Sequence, residues 1–301
     1  MANVWDAMNK HKAEQAAKAQ APEAAGDQPV QAAAPPPGAD AAAALAAKPV
    51  GKAAPVPKGM HSASRNNNGY SELMIAYKKP SSPIAEEYRA LRIKLTADRN
   101  DGKLCLLITS ADAGEGKTVT CANLAVVLAE REDRKTIVVD GDVRKGKLSE
   151  FFALPREPGL ADILKGTVAL RDAVRKTAFP NLLLLPAGKA GSHQFGELLI
   201  RPELEELVNQ LRREYDYVIF DSPPINTSTP DAGMIGRATG QALVVVRMNK
   251  TRRESVEEAI RQLHGAKVEV GGIILTGRTF TIPRWLYGGP RGKYYYNYDY
   301  K

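Results

Sequence analysis

The stretch Ser110-Ala-Asp-Ala-Gly-Glu-Gly-Lys-Thr118 constrains the fold more than any other part of this 301-residue chain. From Ala111 it has a small residue, four further positions and then Gly-Lys-Thr, which is the spacing of a phosphate-binding loop with Ala in place of the usual first Gly. An apolar run at 104–108 precedes the stretch, and a helical pattern at 119–128 follows it. This order of strand, glycine-rich loop and helix predicts a domain that binds a nucleoside triphosphate.

Individual residues of this phosphate loop, Ser110 to Thr118, have predicted roles. Gly114 and Gly116 let successive backbone N–H groups face the phosphates, and Lys117 reaches the β- and γ-phosphates. The Thr118 hydroxyl is placed to ligate Mg²⁺. The residues expected to contact the nucleotide are Ala113, Gly114, Glu115, Gly116, Lys117, Thr118 and Val119.

Apolar runs and helical patterns alternate through the rest of the core. The runs are continuous rather than alternating, which is typical of parallel strands buried on both faces. We therefore predict an α/β fold of the P-loop NTPase type, with a doubly wound, mostly parallel sheet and helices on both faces. The expected strands are 104–108, 135–140, 181–186, 217–220, 242–248 and 272–275, and the clearest helices are 84–95, 119–128, 204–215 and 253–263.

Three aspartates are expected at the carboxyl ends of strands, the edge where such sheets bind ligands. Asp221 is placed to organise Mg²⁺ together with Thr118, although an Asp at a strand end also often caps a turn. Asp140 and Asp142 lie two residues apart, so one of them is expected to hold a metal-bound water and the other to accept a proton, with Arg144 as their charge partner. The expected metal-site residues are Thr118, Asp140 and Asp221, and the expected catalytic residues are Lys117, Asp140, Asp142 and Asp221.

The reaction class follows from what this set contains and lacks. The four histidines are scattered, with no serine or cysteine partner pattern, so a nucleophilic triad has no support. Phosphoryl transfer or triphosphate hydrolysis, carried by positioning and electrostatics, remains.

The two ends of the chain differ from this core. Residues 1–75 are rich in Ala and Pro and are predicted to form a largely disordered extension, whose Trp5 end is either a docking peptide or a frayed terminus. Residues 76–286 are expected to form the nucleotide-binding domain, and residues 287–301 a flexible tail. The tail's tyrosines are predicted phosphate acceptors, the alternative being an edge strand or an aromatic patch for a partner: Tyr294, Tyr295, Tyr296, Tyr298 and Tyr300.

Charge, cysteines and hydropathy restrict the setting. The net charge is +8, but Lys and Arg are spread along the chain without a dense basic cluster among aromatics, so we expect no nucleic-acid partner. Cys105 and Cys121 lack the spacing of a metal site or a disulfide framework, which favours the reducing cytoplasm. No apolar run approaches the roughly 18 residues that span a bilayer, so a membrane is expected to be reached only through a partner.

Taken together, these motifs resemble those of the bacterial tyrosine kinases, in particular the cytoplasmic kinase partners of capsule and exopolysaccharide co-polymerase systems. The resemblance covers about residues 80–301. Three positions depart from the family pattern: Ala113 and Gly146 stand where Pro is usual, and Thr276 where Asn is common. The matching segments are Ser110–Thr118, Ile137–Arg144, Phe220–Pro224, the pattern Glu86-x-x-Arg89-x-x-Arg92 and the terminal tyrosines.

The resemblance implies an activity and an assembly. It implies an ATP- and Mg²⁺-dependent tyrosine kinase that autophosphorylates its tail in a neighbouring subunit and regulates polysaccharide synthesis and export. It also implies self-association into a ring through Glu86, Arg89 and Arg92, which by spacing alone form a solvated helix face. A cytoplasmic segment of a membrane activator is the implied partner, recruiting the protein to the inner face of the membrane.

Two alternatives remain open from the sequence. A switch ATPase of the MinD/ParA type has the same fold, but such proteins carry a signature Lys directly after the first loop residue, where this chain has Asp112. They also lack a terminal tyrosine cluster. A nucleotide-binding adaptor without kinase activity would share most of the same residues.

Overall fold

A computed structural model of the chain describes residues 69–97, 99 and 102–278. Most of the predicted N-terminal extension and all five tail tyrosines lie outside these described residues.

A seven-stranded sheet forms the centre of the domain, in the order β3-β4-β2-β5-β1-β6-β7. All neighbouring strands are parallel except β3 and β4, which are antiparallel. The strands are β1 (Leu104–Ser110), β2 (Thr136–Asp140), β3 (Arg175–Lys176), β4 (Leu182–Leu185), β5 (Tyr217–Asp221), β6 (Gln241–Arg247) and β7 (Glu269–Thr276). The predicted doubly wound, mostly parallel sheet is confirmed.

Helices cover both faces of the sheet. In the described residues they are α1 (Ile75–Lys78), α2 (Pro83–Thr96), α3 (Lys117–Ala129), α4 (Lys147–Phe151), α5 (Leu160–Leu164), α6 (Leu170–Ala173), α7 (Ser192–Ile200), α8 (Pro202–Glu214), α9 (Asp231–Thr239) and α10 (Arg253–Gly265). On one face of the sheet an apolar core is shared with α1–α4. On the other face a second apolar core is shared with α7–α10. Two buried cores on opposite faces are what continuous apolar strands require.

Helix α2 begins as the sequence predicts. Ser82 is its N-cap and its hydroxyl accepts a hydrogen bond from the Ala85 N–H at 3.2 Å, while Pro83 occupies the first helical position. The helix lies on α3, the helix that follows the phosphate loop. Residues of α2 therefore come close to the nucleotide site.

Spacing alone predicts that the polar face of α2 is solvated. In the structure this face also contacts α3. Arg89 and Arg92 both reach Glu130 at the end of α3, with N–O distances of 2.7 and 2.8 Å. Glu86 also pairs with Arg89, at 2.5 Å, and its side chain is 61% exposed. The two arginines thus join α2 to α3 within one chain, and Glu86 is the most exposed member of the implied oligomerisation motif.

Across the described part of the chain, no helix combines the length and the apolar character that crossing a bilayer requires.

Candidate active site

The phosphate loop connects the carboxyl end of β1 to the first turn of α3. Gly114 and Gly116 have φ values of +80° and +97°, a region that side chains other than glycine rarely adopt. Gly116 is also the N-cap of α3, so the N–H groups of the first helical turn, which have no partner within the helix, face the loop. Lys117 is buried to 7% exposure and lines the same cavity. The predicted anion-binding cradle is present in the backbone itself.

Glu115 anchors this loop to the neighbouring strands. Its carboxylate accepts a hydrogen bond from the Asp112 N–H at 3.0 Å and another from the Thr251 hydroxyl, while its carbonyl accepts one from the Thr276 hydroxyl at 2.6 Å. The side chain of Glu115 is buried. The Glu115 carboxylate therefore fixes the shape of the loop. The contact expected between Glu115 and the nucleotide can be made by the backbone of Glu115.

Thr118 and Asp221 meet beneath the loop. The Thr118 hydroxyl donates to Asp221 Oδ2 at 2.7 Å, and Oδ1 of the same carboxylate is buried without a hydrogen-bond partner. Burial raises the pKa of Asp221 to about 7, although Lys117 and Thr118 both act to lower it. An unpartnered carboxylate oxygen beside a hydroxyl is an oxygen donor set suited to Mg²⁺, so the residues present fit the ion.

Asp140 and Asp142 differ in what their carboxylates contact. Asp140 is fully buried, and its two oxygens accept hydrogen bonds from the backbone N–H groups of Asp142 at 3.2 Å and Leu148 at 3.0 Å. Burial raises the pKa of Asp140, and the nearby charges of Asp221 and Asp142 raise it further. Asp142 instead lines the cavity, where one of its oxygens accepts only the Lys145 N–H at 3.2 Å.

Two arginines make the contacts that position the acidic loop, residues 140–146: Arg156 from outside the loop and Arg144 from within it. Arg156 donates to the carbonyls of Val143 and Lys145. The sequence predicted Arg144 as the charge partner of Asp140 and Asp142, and this is wrong, because Arg144 Nη2 lies 3.4 Å from Oδ2 of Asp231 at the start of α9. The error arose because Asp231 is far away in sequence and reaches Arg144 only through the fold.

The cavity joining these groups has a volume of about 620 Å³. Residues 114–119, Asp142 and Asp221 line it, so the fold brings together the predicted nucleotide, metal and catalytic residues except Ala113 and the fully buried Asp140, which do not line the cavity. Within the described residues, no group of three or more His, Cys, Asp or Glu side chains could hold a metal alone.

The comparisons with known proteins agree with this geometry. The family model described as an AAA domain matches residues 105–267. Tyrosine-protein kinase YwqD of Bacillus subtilis (strain 168) is 32% identical over 219 residues, which cover 72% of this chain and 91% of that protein. The chain belongs to the bacterial tyrosine kinase family.

Two further matches show how much of the family's members this chain covers. EpsB of Ralstonia nicotianae is 34% identical over 226 residues, covering 75% of this chain but only 30% of that protein. The kinase domain of Escherichia coli tyrosine kinase ETK superposes with a TM-score of 0.64 at 29% identity, covering 70% of this chain and 83% of that one. The chain thus spans less than a third of the length of some relatives.

Several cavity residues of this family member were missed by sequence reasoning. Lys145 lies in the acidic loop and Lys147 directly follows it. Arg247 ends β6, where its guanidinium donates to the Gly114 carbonyl at 3.3 Å. Tyr88 of α2 and Phe151 of α4 supply aromatic rings to the cavity wall. The position of Arg247 at a strand end was a usable signal, whereas Tyr88 and Phe151 read as ordinary core residues.

Proposed function

We propose that this protein transfers the γ-phosphoryl group of ATP to tyrosine hydroxyls, chiefly those of its own tail in a neighbouring subunit. The observation that carries the proposal is a single cavity lined by both the phosphate loop and Asp142. The Asp142 carboxylate accepts a hydrogen bond from the Lys145 N–H and forms no ion pair with a described residue. The chain supplies a cluster of acceptors in Tyr294, Tyr295, Tyr296, Tyr298 and Tyr300.

The phosphate loop and the residues beneath it carry the nucleotide half of the reaction. The loop amides and Lys117 bind the β- and γ-phosphates and stabilise the charge that shifts onto the leaving ADP. Thr118 and Asp221 would hold Mg²⁺, with Asp140 as a further predicted ligand of the metal's waters. When bound, the ion neutralises the β- and γ-phosphate oxygens.

Asp142 carries the acceptor half. The phenol oxygen attacks the γ-phosphorus, the bond to the β-γ bridging oxygen breaks, and the phenol proton passes to a carboxylate. Asp142 is better placed than Asp140 to accept this proton, because Asp142 lines the cavity while both oxygens of Asp140 already accept backbone hydrogen bonds. A free phenol has a pKa of about 10, so a neighbouring base assists the transfer.

The assembly proposed for this activity is a ring. Glu86 offers an exposed carboxylate for a second subunit, and Arg89 and Arg92 lie on the same helix face. A cytoplasmic segment of a membrane polysaccharide co-polymerase is the proposed activator, which places the kinase at the inner face of the membrane in capsule or exopolysaccharide synthesis. The family membership supports this context.

The experiment is mass spectrometry of the purified full chain after incubation with Mg·ATP, beside the Lys117→Met variant. We expect phosphate on the tail tyrosines of the wild-type protein and a loss of at least about 100-fold in the variant, since the ammonium that binds the transferred phosphoryl is gone. The activator segment is added in a parallel arm. Equal tail phosphorylation in the variant would remove the phosphate loop from the mechanism.

A further inference from the structure

Asp231 is a buried carboxylate that the proposed reaction does not use. Its side chain is 1% exposed, and neither oxygen makes a hydrogen bond to a described residue. It begins α9, where a carboxylate is favoured by the helix dipole, yet the N–H groups of that helix do not hold it. A buried carboxylate without hydrogen bonds is costly, so its position needs another reason.

Arg144 is the cation that faces this carboxylate. Its Nη2 lies 3.4 Å from Asp231 Oδ2, and this is the ion pair that Arg144 makes in the described part of the chain. Burial raises the pKa of Asp231, the charge of Arg144 and the nearby Thr229 hydroxyl lower it, and the charge of Asp142 raises it again. Arg144, Asp142 and Asp231 therefore lie close enough to affect one another electrostatically.

Arg144 also follows Asp142 by only two residues in the acidic loop. An arginine this close to a carboxylate in sequence has a side chain long enough to pair with it. In this structure Arg144 is turned instead to Asp231, and the Asp142 carboxylate remains on the cavity wall without an ion pair to a described residue.

We propose that Asp231 is a positioning residue, which holds Arg144 away from Asp142 and so keeps the Asp142 carboxylate free for the incoming hydroxyl. This inference rests on the proposed function, because it assigns Asp142 the acceptor side of the reaction. Arg156 fixes the backbone of the acidic loop, and Asp231 fixes the direction of its arginine. Without Asp231, Arg144 turns to Asp142 and neutralises it.

The test is a double-mutant cycle on the full chain with Asp231→Asn, Arg144→Ala and the combination. We expect Asp231→Asn to lower the rate of tail phosphorylation by about tenfold while the KM for ATP changes by less than about twofold. Arg144→Ala should stay within about threefold of wild type, because Asp142 remains free. The combination should return to the level of Arg144→Ala, since the competing guanidinium is gone.

Rescue separates positioning from a merely structural role. If Asp231 only stabilised the fold, the double variant would be as slow as Asp231→Asn and would unfold at least as easily, which would overturn the proposal. An unaffected Asp231→Asn variant would overturn it as well.

Binding of a fluorescent ATP analogue as a function of Mg²⁺ concentration is measured on the same four proteins, because this readout needs no kinase activity. A wild-type protein that leaves its tail unmodified would contradict the proposed function. The positioning role would still be judged by this second readout: Asp231→Asn should require more Mg²⁺ to reach saturation, because a guanidinium turned to Asp142 reduces the negative charge that Asp142 places beside Asp221, and the double variant should not. Identical Mg²⁺ dependence in all four proteins would overturn it.

Discussion

The phosphate loop and the acidic loop line one cavity, yet they are shaped in different ways. The phosphate loop owes its form mainly to local backbone, with Gly114 and Gly116 at positive φ and the start of α3 behind them. The acidic loop is held by side chains from other parts of the chain. Arg156 donates hydrogen bonds to its carbonyls, and Asp231 forms an ion pair with its Arg144. The proposed nucleotide site thus depends on a short motif, whereas the proposed tyrosine site depends on tertiary contacts.

The largest effect that sharpens this comparison is expected from the two aspartates of the acidic loop. Asp142→Asn should lower tail phosphorylation by about 100-fold with little change in thermal stability, because the amide cannot take the proton but keeps the hydrogen bond from Lys145. Asp140→Asn should lower the free energy of unfolding by about 1–3 kcal/mol, because an NH₂ group replaces one of the two oxygens and cannot accept from the backbone N–H that faces it. Rates and thermal unfolding of both variants give the measurement.

The reverse pattern would contradict this assignment. A stable, inactive Asp140→Asn protein beside an active Asp142→Asn protein would make Asp140 the group that faces the acceptor.

A smaller effect is expected where the Glu115 side chain joins the phosphate loop to Thr251, four residues after β6. Glu115→Ala should weaken ATP binding by about tenfold, because the loop loses its contacts with Thr251 and the Asp112 N–H and must be ordered on binding. Glu115→Gln, the matched control, retains an oxygen and an N–H group for those contacts and should stay within about threefold. Calorimetric titration with ATP compares them, and equal affinity for the two variants would mean that the side chain does not fix the loop.

The smallest effect concerns the contact between α2 and α3. Partial burial raises the pKa of Glu130, but the hydrogen bonds and charges of Arg89 and Arg92 outweigh it and hold that pKa below its ordinary value. The stabilisation is therefore present above the unfolded-state pKa of about 4.3 and is lost as the pH falls through the folded-state value. Because the site is partly exposed, Glu130→Gln should reduce the free energy of unfolding by only about 1 kcal/mol at pH 7.

Denaturant unfolding at two pH values checks this. The difference between wild type and Glu130→Gln should shrink below about pH 4, while Glu132→Gln, at an exposed position without an ion pair to a described residue, should show none at either pH. A difference that persists unchanged in acid would mean that packing, rather than charge, joins the two helices.

The same contrast explains what could be read from the sequence. The phosphate loop, the strand-end aspartates and the parallel sheet follow from local patterns, and the fold class is confirmed. The short helices α4 to α6 and the two-residue β3 carry too few residues for a periodic signal. The Arg144–Asp231 and Glu115–Thr251 contacts join residues 87 and 136 positions apart, so no local pattern contains them.

The central claim is that one subunit's site phosphorylates another's tail. It is tested most directly by mixing two full-length variants, neither of which can phosphorylate its own tail. One protein carries Lys117→Met with an intact tail, and the other has an intact site with all five tail tyrosines changed to Phe. After incubation with Mg·ATP, mass spectrometry should find phosphate on the tail of the Lys117→Met protein. Phosphorylation of the wild-type protein without any in the mixture would show transfer within one chain, and ATP turnover with unmodified tails would show a switch ATPase.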